Sequence, residues 1–161
     1  MKRFQLELKW AFIFTLMGML WVLGEKLAGL HDVYIEKHPV YTNFIAIPAI
    51  AVFAFALIEI RKKYYGGAIT YGQAVKSGLM ITLLVTLLSP LSQYLTSTFI
   101  TPEFFKNAIA VAVRKGYSTQ KDAEAYFNLR SYIIQGLIGA PIMGLITTLL
   151  VAAFIRKSNT L

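Results

Sequence analysis

Four long stretches without a charged residue divide this chain, and they constrain its fold more than any other feature. They cover residues 10–24, 39–58, 77–102 and 131–155. A transmembrane helix needs about 20 predominantly apolar residues, so the first stretch must continue past its flanking charges, and the other three are long enough. None of them alternates apolar and polar residues with period two, as a β-barrel strand does. The pattern therefore predicts four transmembrane helices.

The predicted fold class is all-α, a four-transmembrane-helix bundle. We expect one integral membrane domain over residues 1–161, with spans at about 8–29, 40–60, 77–100 and 131–155. The chain is 57% hydrophobic and 15% charged and has no cysteine. This composition argues against a disordered chain, a disulfide-stapled secreted domain and a cysteine metal site.

The N-terminal stretch also has the basic start of a signal peptide. Its apolar part ends in Trp21, Val22 and Leu23, which offer no small-residue cleavage site. We therefore expect an uncleaved first span.

Lysine and arginine residues are distributed unevenly between the two sides of such a bundle. Nine of them lie before the first span, in the loop 59–76 and after residue 155, where only two acids oppose them. The other side has seven basic and six acidic residues. Basic residues favour the cytoplasmic side, so we expect both termini to be cytoplasmic. Nucleic-acid binding would require a basic face on a soluble domain. The sequence contains no such domain, so no nucleic-acid partner is expected.

The segment 103–130, between spans three and four, is predicted to form an extracytoplasmic amphipathic helical hairpin. Thr101 is expected to cap its first helix, and Gly116 to stop that helix. Ser118 or Thr119 would cap the second helix, which we expect to continue into the fourth span. The hairpin either lies on the outer leaflet or packs as a cap on the helix ends.

Three prolines fall inside the expected spans at similar depths, namely Pro48, Pro90 and Pro141. Each removes a backbone donor and can kink its helix. Helices interrupted at corresponding positions are typical of transport sites, although prolines are also common in ordinary transmembrane helices.

The most polar patch within a span lies at residues 89–94. We take as a candidate polar pocket Ser89, Ser92, Gln93, Tyr94 and, from the fourth span, Gln135. The alternative is an ordinary interhelical hydrogen bond, worth about 0.6 kcal/mol. No ionisable residue lies at mid-depth of a span, which argues against a proton-driven transporter.

Small residues recur every four positions along the fourth span, at Gly136, Ala140 and Gly144. Such spacing lets helix backbones approach closely. This face is expected to pack on another helix, either within the protomer or across a dimer.

Arg61, Lys62 and Lys63 follow the second span on the predicted cytoplasmic side. Basic residues next to a membrane attract anionic lipids, so membrane lipids, including anionic ones, are expected partners.

The first outer loop contains four metal-ligand residue types, His31, Asp32, Glu36 and His38. Their spacing matches no recognised metal-site pattern, so we interpret them as polar residues at an interface and predict no metal site. No nucleophile–histidine–acid arrangement and no phosphate-binding loop is present. The sequence therefore predicts no catalytic or cofactor-binding residues, and the chain is not expected to be an enzyme.

Several short motifs resemble a known family. They are YGGAITYGQA at 65–74, the following Lys76, Ser77 and Gly78, then Ser89 with Pro90, and Phe127 with Asn128. These motifs are similar to a bacterial inner-membrane family known as domain of unknown function 4199. The resemblance covers nearly the whole chain. It implies a four-span protein of the bacterial inner membrane, and it brings no assigned activity.

Two functional interpretations remain open. The first is a non-enzymatic multi-pass membrane module that forms a homo-oligomer or binds a larger membrane protein. The alternative is a small carrier or lipid-handling protein with a cavity lined by kinked helices.

Overall fold

The computed structural model describes residues 2–157 and contains four helical stretches that are long and apolar enough to cross a membrane. These stretches are Arg3–Leu27, Ile35–Lys63, Tyr71–Ile100 and Leu129–Ile155. Across the described residues there is no β-strand, and the β-type pairing is one isolated bridge between Ile69 and Lys157. The predicted all-α fold with four apolar helices is confirmed.

Seven α-helices make up the described part of the chain, and two of the four long stretches contain irregular turns. The helices are α1 (Arg3–Leu27), α2 (His38–Tyr41), α3 (Ala46–Lys63), α4 (Tyr71–Leu95), α5 (Phe104–Arg114), α6 (Gln120–Tyr126) and α7 (Leu129–Ile155). In the second stretch, 3-10 turns at Ile35–Lys37 and Thr42–Ile45 flank α2. In the third, a π-helical turn at Thr96–Ile100 extends α4.

The buried core lies between α1, α3, α4 and α7. Its fully buried side chains include Leu6 on α1, Leu57 on α3, Ile81 on α4 and Ala152 on α7. Many large apolar side chains point away from this core and are exposed, among them Leu16, Leu87 and Phe154. Because lipid tails are as apolar as leucine, such outward side chains are expected in a membrane-spanning bundle.

Both described termini meet the loop between α3 and α4, at one end of the bundle. The Arg3 guanidinium donates to the Tyr65 hydroxyl across 3.5 Å. Ile69 and Lys157 exchange two backbone hydrogen bonds of 3.0 Å each. We call this the terminal end of the bundle, and we call the end that carries α5 and α6 the hairpin end.

The three prolines occupy different kinds of position. Pro48 lies in the first turn of α3, where a missing N–H removes no helical hydrogen bond. The interruption of the second stretch therefore lies before Pro48, in the 3-10 turn Thr42–Ile45. Pro90 lies inside α4 and Pro141 inside α7.

The hairpin differs from its prediction at two boundaries. Thr101 does not cap α5, because its hydroxyl is directed to the Thr96 carbonyl, to which it donates across 3.4 Å. The Thr101 N–H donates to the same carbonyl across 2.8 Å and closes the π-helical turn. Glu103 occupies the N-cap position instead, and α5 begins at Phe104. Gly116 has φ of 71°, a left-handed conformation that glycine adopts without strain, and it follows the end of α5 as predicted.

The second hairpin helix also ends earlier than expected. Thr119 caps α6 by accepting a hydrogen bond of 3.2 Å from the Asp122 N–H. However, α6 ends at Tyr126 and does not run into α7. Asn128 begins α7 as a separate helix, because its side-chain oxygen accepts from the Ser131 N–H at 2.8 Å.

Candidate functional site

Three ionisable side chains converge at the hairpin end, and we call Glu25, His31 and His38 the Glu25 cluster. Glu25 Oε2 lies 3.3 Å from His31 Nε2 and 3.6 Å from His38 Nε2. One nitrogen or oxygen atom from each of the three lies within 4.8 Å of the other two. The side chains of Glu25 and His31 are 5% and 6% exposed. The cluster is therefore compact, with Glu25 and His31 buried and the His38 side chain 21% exposed.

The end of α1 explains how His31 returns to Glu25. The Leu30 N–H donates to the Glu25 carbonyl and the Gly29 N–H donates to the Lys26 carbonyl, each across 2.9 Å. Gly29 has φ of 75°. This is a Schellman motif, which ends a helix with a left-handed glycine and reverses the chain. His31, two residues later, consequently lies beside the last turn of α1.

Neighbouring side chains hold the cluster in position. The Trp21 indole N–H donates to Glu25 Oε1 across 2.8 Å, from one turn earlier on α1. This leaves Oε2 directed at the two imidazoles. The Phe104 ring lies 4.9 Å from the His31 ring and 5.1 Å from the His38 ring, between centroids. The start of α5 therefore covers the cluster.

Two cavities adjoin the Glu25 cluster. The smaller one, of about 160 Å³, is bounded by the cluster itself and by polar side chains that include Gln93, Thr96 and Thr101. The larger one, of about 430 Å³, lies beneath α5, and we call it the hairpin cavity. Both cavities share walls formed by His38, Thr42, Phe104 and Tyr132.

The hairpin cavity has an apolar wall and a charged rim. Phe104, Ala108 and Ala112 line it from α5. At its rim, Lys115 Nζ lies 3.0 Å from Glu36 Oε2. Arg114 forms a second ion pair with Glu36 across 3.0 Å. Its volume falls within the range of small-molecule sites, about 300–1,000 Å³.

The predicted polar pocket is not assembled as one site. Of its five residues, Gln93 lines the smaller cavity, and its side-chain amide donates to Ser97 Oγ across 2.8 Å. Gln135 is exposed, donates to Ser131 Oγ across 3.0 Å and does not hydrogen-bond Gln93. Tyr94 is exposed and Ser92 half-buried.

Ser89 has a local role next to Pro90. Proline at position 90 leaves the carbonyl of Thr86 without its usual helical donor. The Ser89 hydroxyl donates to that carbonyl across 2.8 Å. Hydroxyl side chains commonly satisfy backbone groups freed by proline in membrane helices. Neither Pro90 nor the other two prolines lines either cavity.

The small-residue face of α7 packs against α4 within the protomer. A methyl group added at Gly136 would lie 3.7 Å from Ser89 Oγ. Gly144 lies against Thr82, and Ala140, between the two glycines, is half-buried. The sequence left open whether this face packs within the protomer or across a dimer. Gly136 and Gly144 pack within the protomer.

The three basic residues at the end of α3 have different surroundings. Arg61 Nη1 donates to the Ile155 carbonyl across 2.9 Å. Lys63 Nζ donates to Glu59 Oε1 across 2.7 Å. Lys62 is exposed. Arg61 consequently ties α3 to the end of α7, and Lys62 points away from the protein.

The sequence interpretation grouped the loop residues differently from the structure. It placed His31 and His38 with Asp32 and Glu36, but Asp32 is exposed and Glu36 pairs with Arg114 and Lys115. The acidic residue that the two histidines contact is Glu25 on α1. The signal that could have identified it is Gly29, which marks the chain reversal four residues after Glu25.

Comparison with known proteins gives a family but no activity. Neither the curated proteins nor the solved structures contain a match to this chain. The family model described as "Protein of unknown function (DUF4199)" matches residues 9–157, which include the Glu25 cluster, most of the first long apolar helix and all of the other three. The chain therefore belongs to this family of unknown function.

Proposed function

We propose that this multi-pass membrane protein is a non-enzymatic lipid-handling protein that binds an amphipathic molecule in the hairpin cavity. The observation that carries the proposal is the pair of adjoining cavities at the hairpin end, with shared walls at His38, Thr42, Phe104 and Tyr132. This is the second of the two interpretations open from the sequence, with the cavity between helix ends instead of between kinked helices.

The chemistry of the cavity walls supports an amphipathic ligand. Phe104, Ala108 and Ala112 offer apolar contact to a hydrocarbon segment. Glu36 and Lys115 at the rim offer both charges to a polar head group. Apolar pockets with a few placed polar groups are the usual form of a small-molecule site. A phospholipid, with its acyl segment under α5 and its head group at the rim, meets both requirements.

The proposal places the protein in a bacterial inner membrane, with both termini cytoplasmic and the hairpin end outside. The excess of basic residues at the terminal end supports this orientation. Lys62, exposed at that end, is proposed to contact anionic lipid head groups. The hairpin cavity would then face the outer leaflet.

The alternative, a module that oligomerises or binds a larger membrane protein, has less support. Its main sequence argument was the small-residue face of α7. That face packs on α4 through Gly136 and Gly144, which accounts for the small residues without a second protomer.

Native mass spectrometry of the protein purified in a mild detergent tests lipid binding. Ala112, which is 8% exposed, lines the hairpin cavity, whereas Ala110 on the same helix is exposed. We expect the unchanged protein and Ala110→Trp to retain one phospholipid per chain, and Ala112→Trp to lose it. Equal retention by both variants, or no retained lipid in the unchanged protein, would rule out the proposed function.

A further inference from the structure

We propose that the Glu25 cluster binds one divalent transition-metal ion, with Zn²⁺ as the expected metal. The ligand atoms are Glu25 Oε2, His31 Nε2 and His38 Nε2, which come from α1, the following loop and the start of α2. This inference does not depend on the hairpin cavity holding a lipid.

The distances from Glu25 Oε2 to the two histidine nitrogens fit a tetrahedral metal site. Zinc binds histidine nitrogen and carboxylate oxygen at about 2.0–2.2 Å, which places neighbouring ligand atoms about 3.3–3.6 Å apart in a tetrahedron. The two measured distances from Glu25 Oε2 are 3.3 Å to His31 and 3.6 Å to His38. Direct N–H···O hydrogen bonds are shorter, about 2.7–3.2 Å. The 3.3 Å contact with His31 is also within hydrogen-bonding distance, whereas the 3.6 Å contact with His38 is longer than a hydrogen bond and fits a shared ion.

The surroundings of Glu25 also favour a cation. A buried carboxylate is unfavourable unless it is paired or coordinates a metal. Within residues 2–157, the basic groups within 4 Å of the Glu25 carboxylate are the two imidazoles. Neutral imidazole is the form in which histidine binds metals. A divalent ion would compensate the buried negative charge without protonating either ring.

One contact around the ligands resembles the supporting shell of a metal site. Trp21 donates to Glu25 Oε1, which orients the carboxylate so that Oε2 acts as a single ligand atom. His31 Nδ1 is buried and has no hydrogen-bond partner among the described residues. A histidine that binds a metal through Nε2 usually donates its Nδ1–H to an acceptor, and no described residue supplies that acceptor for His31.

The smaller cavity leaves room for a fourth, exchangeable ligand. It has a volume of about 160 Å³ and is bounded by the three proposed ligands on one side. Gln93 and Thr101 contribute polar atoms to its other walls. Zinc sites with three protein ligands and one open position are common in proteins. Two histidines and one glutamate are one of the known sets.

The test is a calorimetric titration of the whole chain, purified in detergent and stripped with a chelator, with Zn²⁺ alone. We expect one ion per chain. Glu25→Gln and His38→Asn should each weaken binding at least tenfold, and the matched control Asp32→Asn, at an exposed carboxylate of the same loop, should change it less than twofold. Co²⁺ should give the visible absorption of a tetrahedral site in the unchanged protein and in Asp32→Asn.

Failure to bind Zn²⁺ in the unchanged protein would overturn the inference, and so would binding that survives both ligand substitutions. Thermal unfolding of the metal-free variants shows whether each is folded. If a variant does not fold, the stoichiometry and the Co²⁺ spectrum of the unchanged protein decide the question. Ala112→Trp should bind Zn²⁺ normally, which separates failure of this inference from failure of the lipid proposal.

Discussion

Gly144 in α7 lies directly against Thr82 in α4, and a methyl group added at Gly144 would lie 2.5 Å from Thr82 Oγ1. The relationship is reciprocal, because a methyl group at Gly78 in α4 would lie 2.5 Å from Thr148 Cγ2 in α7. Each antiparallel helix thus places a glycine opposite a threonine of its partner. Thr82 and Thr148 are 6% and 0% exposed. The close packing of α4 on α7 depends on these two missing side chains.

The first prediction concerns the Gly144 contact. Gly144→Ala should lower the free energy of unfolding, because overpacking a close contact typically costs about 1–3 kcal/mol. Alanine is intrinsically favoured over glycine in a helix by about 1 kcal/mol, so the net loss should be smaller than the packing cost. Thermal unfolding in detergent, followed by circular dichroism, measures the shift in Tm.

Gly139 provides the matched control on the same helix. No atom lies within 4 Å of a methyl group added there, so Gly139→Ala should leave Tm unchanged or raise it. If Gly144→Ala proved as stable as Gly139→Ala, the two helices would not approach as closely at position 144 as the structure shows.

The four apolar helices were predictable from sequence, because each helix satisfies its own backbone within one continuous stretch. Local caps were also predictable in part. Thr119 and Gly116 act as expected, since capping depends on residues only a few positions away. The prediction that Thr101 caps α5 was wrong, because Thr101 closes a π-helical turn with Thr96. No local sequence pattern predicted that turn.

The candidate site could not be predicted in the same way. Glu25 meets His38 only because Gly29 reverses the chain and Phe104 covers both histidine rings. Those contacts join α1 and α2, which are linked by an irregular loop, to α5, which is distant in sequence. The predicted pocket around Ser89 was polar for another reason, namely that Ser89 satisfies the carbonyl freed by Pro90. Composition alone does not distinguish a polar binding site from side chains that hydrogen-bond a backbone carbonyl freed by proline.

A second prediction concerns Glu59, which joins α3 to α1 near the terminal end. Its carboxylate accepts hydrogen bonds from Lys9, from the Trp10 indole at 2.6 Å and from Lys63 at 2.7 Å. Glu59→Ala should destabilise the protein by about 1–3 kcal/mol. It removes the hydrogen-bond acceptor of the partly buried Trp10 indole and the carboxylate that pairs with both lysines. Thermal unfolding measures the loss, and in a Trp21→Phe background the emission of Trp10 should shift.

Glu103→Ala is the matched control for Glu59→Ala. Glu103 is 65% exposed at its side chain and pairs with Lys106, which is 81% exposed. Exposed ion pairs contribute about 0–1 kcal/mol, so this variant should change Tm little. Equal effects of the two substitutions would contradict a structural role for Glu59.

A third prediction tests the link between Ser89 and Pro90 by a double-mutant cycle. Ser89→Ala should destabilise the protein by about 1 kcal/mol, because the Thr86 carbonyl then loses the hydroxyl donor that it uses. In a Pro90→Ala background, the backbone N–H of residue 90 can serve that carbonyl, so Ser89→Ala should cost much less. Chemical or thermal unfolding of the four proteins gives the coupling. Equal costs in both backgrounds would show that the hydroxyl does not compensate for the proline.

The last prediction concerns orientation, and the absence of cysteine from the chain makes it direct to test. Lys62→Cys and Lys121→Cys each replace one exposed lysine, at the terminal end and at the hairpin end respectively. Because nine of the sixteen basic residues lie at the terminal end, the positive-inside rule places that end in the cytoplasm. A membrane-impermeant maleimide applied to intact bacterial spheroplasts should therefore label Lys121→Cys and spare Lys62→Cys. Detergent should make both cysteines reactive. Labelling of Lys62→Cys alone before detergent would reverse the orientation and place the hairpin cavity against the cytoplasmic leaflet.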